Sequence, residues 1–169
     1  MKIFKKIIKL QGLSSTHLSF MHIFWSWLGS AIAIGAVAWA AYQSRQPILF
    51  APLGASAVLA FAVYESPLAQ PRNIIGGHVI STIVGLTFLT LWGNDWLVIS
   101  LAVATAIAAM MFSKTVHPPA GANPILVIVA GAKWSFIIET IIPGAVILTF
   151  CALIFNNIAQ GRKYPTYWW

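Results

Sequence analysis

Long apolar runs alternate along this chain with short connections rich in Pro, Gly, Asn and Lys. The runs extend from about Ile23 to Tyr42, Ile74 to Trp92, Trp96 to Phe112 and Trp134 to Phe155. Each approaches the ~20 residues that carry a helix across a bilayer core, so each predicts a membrane span. Gly29, Ser30, Ala31, Ala33, Gly35 and Ala36 suit close helix packing in lipid. Ser19 and Asn73 stand where they can cap the first and second runs.

Two apolar stretches break this pattern. His117-Pro118-Pro119-Ala120-Gly121-Ala122-Asn123-Pro124 holds three prolines, each lacking an amide donor and clashing with the preceding turn. Pro47 and Pro52 likewise interrupt the run before Ser56, so regular helix is expected from Ser56 to Tyr64 and from Ile125 to Ala130. Nine residues of helix reach ~13 Å, only part of a ~30 Å core. Irregular backbone in lipid is tolerated where protein buries it or where it lines a polar cavity.

The two breaks align with each other. At an offset of 67, Pro52-Leu53-Gly54-Ala55-Ser56 lies over Pro119-Ala120-Gly121-Ala122-Asn123, and Ile74-Ile75-Gly76-Gly77 lies over Ile141-Ile142-Pro143-Gly144. An all-α membrane bundle of two three-segment repeats follows (about 23–90 and 91–156), each with a broken or half helix. If the broken piece crosses, the chain makes six passes and the halves are inverted. If it dips in and returns, there are four passes and parallel halves. Six passes leave eight Lys and Arg on the N-terminal side against two, whereas four leave six against four. The positive-inside rule therefore favours inverted repeats with both termini cytoplasmic.

Composition agrees with a membrane protein: hydrophobic residues are 59%, charged ones 8%, and mean hydropathy is +0.83. The net charge of +7 could point to nucleic acid, but Lys2, Lys5, Lys6, Lys9, Arg162 and Lys163 cluster near the termini. That distribution belongs to the cytoplasmic membrane face, and no nucleic-acid partner is expected. Residues 1–19 are expected to include a short interfacial helix, with no signal peptide; residues 20–156 form the transmembrane domain. Residues 157–169 form a basic, aromatic tail suited to the headgroup zone. Cys151 stands alone and the four histidines are scattered, so neither a metal site nor a cofactor is expected. No nucleophile motif is present, and enzyme activity is not expected.

In both repeats a glycine and an alanine precede a residue of strong N-cap character: Gly54, Ala55, Ser56 and Gly121, Ala122, Asn123. Helix starts leave amides unpaired, carry partial positive charge and receive anions. Two of them near the midplane would form an electropositive site, the design of many secondary transporters. Glycines 54 and 121 would let backbone approach the ion. Arg72, His78, His117 and Glu139 are gating or coupling candidates, against plainer roles as interfacial charge, carbonyl partner or lock. Glu139 aligns with Arg72, so an ion pair between repeats is conceivable. Lys114 and His117 are the titratable groups beside a break.

The His117-Pro118-Pro119-Ala120-Gly121-Ala122 motif, Gly54-Ala55-Ser56-Ala57-Val58-Leu59 and the stretch from Glu65 to His78 together resemble the HPP family of integral membrane proteins. The resemblance covers about Phe20 to Phe155. It implies a bacterial or cyanobacterial inner-membrane protein for which nitrite transport has been proposed. The family is usually described with four spans, which matches the re-entrant count. Some relatives carry CBS pairs, and none is expected within this chain. The residues supply the sign of the ion and the resemblance its identity. Transport of a nitrite-like anion is the function expected, in a homo-oligomer embedded in the lipid bilayer. The competing readings are a non-transporting scaffold whose breaks serve packing or docking, and a lipid-directed enzyme.

Overall fold

A computed structural model describes residues 19–168. Of the N-terminal segment 1–19, the expected interfacial helix lies outside that range and only Ser19 falls within it. All regular structure among the described residues is helical. Helix α1 spans Phe20–Ser44, α2 Pro52–Ala57, α3 Pro71–Trp92, α4 Trp96–Phe112, α5 Asn123–Val129 and α6 Ile142–Ile158. A wide π turn, Val58–Ala62, prolongs α2, and another, Ile137–Ile141, leads into α6. A tight 3₁₀ turn, Pro118–Ala122, leads into α5.

Three helical stretches are long and apolar enough to cross a membrane: Phe20–Ser44, Pro71–Trp92 and Ile137–Ile158. At 1.5 Å per residue, 22 residues reach ~33 Å, against a ~30 Å core. Pro52–Ala62, Trp96–Phe112 and Pro118–Val129 are shorter apolar helices. The burial pattern is that of a lipid-facing bundle. Trp39, Leu101, Phe112 and Phe150 are exposed, while Ser56, His78, Ser81, Thr82, His117 and Asn123 are fully buried. Contiguous apolar surface outside and a polar interior that is bonded, the Thr140 and Thr149 hydroxyls excepted, suit a solvent that offers no hydrogen bonds.

Several helices begin earlier than the sequence predicts, because prolines read as breakers act as starters. Pro52, Pro71 and Pro118 each occupy a first helical position, where the missing amide would be unpaired anyway. Asn73 therefore lies inside α3 and caps nothing; its side chain donates to the Val116 carbonyl at 2.8 Å. Ser19 holds the N-cap position of α1 without a side-chain capping bond. Ser56 and Asn123, expected as N-caps of the half helices, sit within helical backbone and make no capping bond.

Call the end of the bundle where α1 begins proximal, and the other distal. From Arg45 at the distal end the chain runs inward as an irregular segment, and Pro52–Ala62 then returns it to the proximal end. There Ser26 Oγ donates to the Phe61 carbonyl at 2.8 Å, and His22 Nε2 to the Ala62 carbonyl at 3.0 Å. The second break runs the other way, inward from Ser113 at the proximal end. It leaves through α5 toward Trp134, whose Nε1 donates to Thr90 Oγ1 near the distal end of α3 at 3.3 Å. The long helix before each break closes on a left-handed residue, Arg45 or Lys114, both at φ 56°. Helix α3 packs on α4 and α5, and α1 on α6.

The tail departs from expectation. Helix α6 continues to Ile158, and the chain then folds back over the connection between α2 and α3. Tyr164 is buried, donating from its hydroxyl to the Ala69 carbonyl at 2.7 Å. Gln70 Oε1 accepts from the Thr166 amide at 2.8 Å, and Tyr167 donates to the Pro67 carbonyl at 2.8 Å. Trp168 is exposed, in keeping with a headgroup-facing residue.

Candidate functional site

The two breaks meet at the centre of the bundle, and four polar side chains close the meeting point. Ser56 comes from α2, His78 from α3, His117 from the approach to the second break and Asn123 from α5. All four are fully buried. Ser56 Oγ lies 2.8 Å from His78 Nε2, 2.8 Å from His117 Nε2 and 3.1 Å from the Pro52 carbonyl. The imidazoles meet edge to face with centroids 5.1 Å apart, and the Phe50 ring stands edge-on to His78 at 5.2 Å.

Around this cluster the bonds are dense. Asn123 Nδ2 lies 3.0 Å from His78 Nδ1, 3.1 Å from the His78 carbonyl and 2.9 Å from Thr82 Oγ1. His117 Nδ1 donates to the Leu68 carbonyl at 2.8 Å, in the half-buried proximal connection. Ser81 Oγ donates to the Ala120 carbonyl at 2.6 Å. Such groups are costly to bury unpaired, and each bond is strengthened by the low dielectric around it. The carboxylates of Glu65, Asp95 and Glu139 are all on exposed residues away from this cluster.

Close helix contacts bring these side chains together. A Cβ on Gly77 would lie 2.7 Å from His117 Cβ and 2.9 Å from the Thr115 carbonyl. One on Gly144 would lie 2.8 Å from the Ile48 carbonyl and 2.9 Å from the Phe50 ring. At the offset of 67, Gly77 corresponds to Gly144 and Ile48 to Thr115. Gly85 gives a third close approach, to Pro124 Cα at 2.7 Å.

The remaining candidates divide. Gly54 and Ala55 are exposed on α2, Gly121 is half-buried and Ala122 exposed, and nothing lies within 4 Å of a Cβ built on either glycine. The close contacts to backbone belong instead to Gly77, Gly85 and Gly144, and those to side chains alone to Gly29 and Gly76. Pro118 is exposed and Pro119 buried at the start of the 3₁₀ turn. Arg72 Nη2 donates to the Ser113 carbonyl at 2.8 Å, tying α3 to the second approach. Glu139 is exposed in the π turn near the distal end, so the conceived Arg72–Glu139 pair does not form.

Arg162 was legible from the sequence only as a charge near the terminus. Its Nη1 donates to the Phe61 carbonyl and Asn156 Oδ1, and its Nη2 to the His22 carbonyl and Ser26 Oγ, at 2.8 to 3.1 Å. The guanidinium also lies 4.9 Å from the centre of the Tyr64 ring. A cation thus meets the carbonyl end of the first half helix, where the helix dipole is negative. Burial and the neighbouring Glu65 carboxylate raise the Tyr64 pKa. A cleft of about 540 Å³ opens here, with His22, Trp25, Tyr64, Gln160 and Arg162 in its wall.

An apolar exterior, crossing-length helices and a polar centre made from interrupted segments define an integral membrane helical bundle. Residues 15–165 match the family model described as "HPP, transmembrane region". The chain belongs to that family. Two Dictyostelium discoideum proteins, each named a transmembrane protein, are 37% identical to it over 157 residues. Those alignments cover 86% of this chain and 55% and 50% of theirs, so the chain spans about half the length of these curated relatives. No solved structure matches it.

Proposed function

We propose that the chain carries a small monovalent anion, nitrite in the first instance, through the point where the breaks meet. One observation carries this reading: Ser56, His78, His117 and Asn123 converge in the bundle centre with donor-capable groups and no carboxylate among them. A cation site in the same place would need carboxylates or converging carbonyls, whereas clustered side-chain donors welcome negative charge. Nitrite is what the family resemblance implies. Because the four side chains are fully buried, passage requires the halves to move and open the cluster to one end at a time.

The bundle reads as two inverted repeats making six passes. The opposite senses of the half helices support this, as does reciprocal packing: the Gly77 helix receives the Thr115 carbonyl, and the Gly144 helix receives the Ile48 carbonyl. Positive charge then lies mostly at the proximal end, which we assign to the cytoplasm of a plasma-membrane protein. A homo-oligomer would cover the exposed small residues Gly54, Ala55 and Ala122. No enzyme activity enters this proposal. Full burial and bonding of the cluster favour a second reading, in which the breaks serve packing in a membrane scaffold.

Uptake of labelled nitrite into proteoliposomes separates the two. Transport predicts uptake faster than into empty vesicles, and its loss in Asn123→Leu, which removes the donor between α3 and α5. Uptake no faster than into empty vesicles leaves the scaffold.

A further inference from the structure

We propose that Ser56 bridges His78 and His117 into a proton relay, so that the protein moves a proton together with its anion; the inference rests on the transport reading and names the co-transported species. The donors and acceptors leave one all-neutral arrangement. The Leu68 carbonyl can only accept, so His117 Nδ1 carries a hydrogen and its Nε2 needs a donor. Ser56 has one hydrogen, which goes to His117 Nε2 at 2.8 Å. His78 must then donate to Ser56 Oγ through Nε2 at 2.8 Å, so that Nδ1 accepts from Asn123 Nδ2 at 3.0 Å rather than donating to Asn123 Oδ1 at 3.3 Å.

The result is a polarised chain, Asn123 to His78 to Ser56 to His117 to Leu68, from the bundle centre to the proximal connection. A proton arriving at His78 Nδ1 makes that ring cationic. His78 then gives its Nε2 proton to Ser56 Oγ as Ser56 gives its own to His117 Nε2. His78 is left neutral with its hydrogen on Nδ1, and His117 carries the charge. Loss of the His117 Nδ1 proton to water on the Leu68 side completes the transfer; it leaves Nδ1–H on His78 and Nε2–H on His117, and proton exchange with water while the cluster is open returns both rings to the resting tautomers. The Pro52 carbonyl, 3.1 Å from Ser56 Oγ, is a second acceptor to which the hydroxyl can turn when His117 Nε2 is protonated.

The imidazoles are the titratable groups of the cluster. Phe50, Ser81, Thr82 and Asn123 face them from the first approach, α3 and α5, and Gly144 lies behind Phe50 on α6. Arg72 is engaged with Ser113 at the proximal end, and Lys114 is exposed there. A cationic ring in this cluster has no carboxylate partner, so an anion arriving with the proton supplies the missing charge.

Two measurements on the whole chain test this. In proteoliposomes holding a lumenal pH dye, with empty vesicles under the same gradient subtracted for nitrous acid permeation, wild-type protein should take up labelled nitrite and protons one for one. An inward gradient of one pH unit should then drive about tenfold accumulation. Ser56→Ala, which keeps both rings and cuts the bridge, should slow gradient-driven uptake at least about tenfold, and Ser56→Thr should restore it. In ¹⁵N-histidine NMR of the purified protein near neutral pH, the hydrogen should lie on Nδ1 of His117 and Nε2 of His78. Nitrite uptake indifferent to the proton gradient, or the opposite tautomer at His117, overturns the relay and leaves transport standing. Uptake no faster than into empty vesicles overturns transport and the relay with it. If Ser56→Ala does not purify as a folded protein, the wild-type gradient response and the tautomers decide.

Discussion

At the scale of single residues, glycine space separates packing from chemistry. A methyl on Gly77 or Gly144 would press on a carbonyl oxygen at 2.9 or 2.8 Å, and backbone cannot swing aside as a side chain can. Gly77→Ala and Gly144→Ala should each lower stability by about 1–3 kcal/mol, read as a fall in melting temperature in detergent. Gly54→Ala, with open space around it, should leave stability unchanged or raise it by about 0.5–1 kcal/mol through helix propensity. A Gly54→Ala variant that melts normally yet loses nitrite uptake would restore that glycine to the ion's path. The sequence singled out Ser56, His78, His117 and Asn123 one by one. That Ser56 touches both rings was hidden, because the partners lie 22 and 61 positions away and only packing brings them together.

At the scale of elements, the tail and the first half helix stabilise each other. Removing residues 162–169 takes away the Arg162 bonds to Phe61 and His22 and the Tyr164 bond to Ala69. The truncated protein should melt lower, and limited proteolysis should cut first in the connection around Glu65–Gln70. Tyr164→Phe alone leaves a carbonyl without its donor and should cost about 1–3 kcal/mol. Burial raises the Tyr164 pKa above the usual tyrosine value. The folded state therefore holds the phenol proton more tightly than the unfolded chain does. Stability from this group is complete below about pH 10 and falls as pH rises above it. A melting-temperature series from pH 8 to 11 should show that fall, diminished in Tyr164→Phe. None of this was legible in the tail sequence, because aromatic residues after a span suit the headgroup zone as well as they suit a core.

At the scale of the whole molecule, the number of crossings divides the models. With Cys151→Ser as background, single cysteines at Lys114 and Lys133 should react with an impermeant thiol reagent from opposite faces of the membrane if the chain makes six passes. Labelling of both from one face is the outcome for four passes with re-entrant loops. The sequence repeat and the charge distribution favour six, which is the count we propose. The proline-rich stretches were harder to read: one residue type that ends helices in the interior also begins them at the first turn.

Composition and periodicity by themselves determined a helical membrane protein, its long helices and the position of both breaks. Apolar runs and prolines act locally, on the helix that contains them. Only the tertiary structure decided which polar groups share the centre, that Ser56 and Asn123 bond across helices rather than cap their own, and that Arg162 and Tyr164 hold the proximal end. Each of those facts depends on contacts between residues far apart in the chain, and no local pattern fixes which distant donor finally meets a given acceptor.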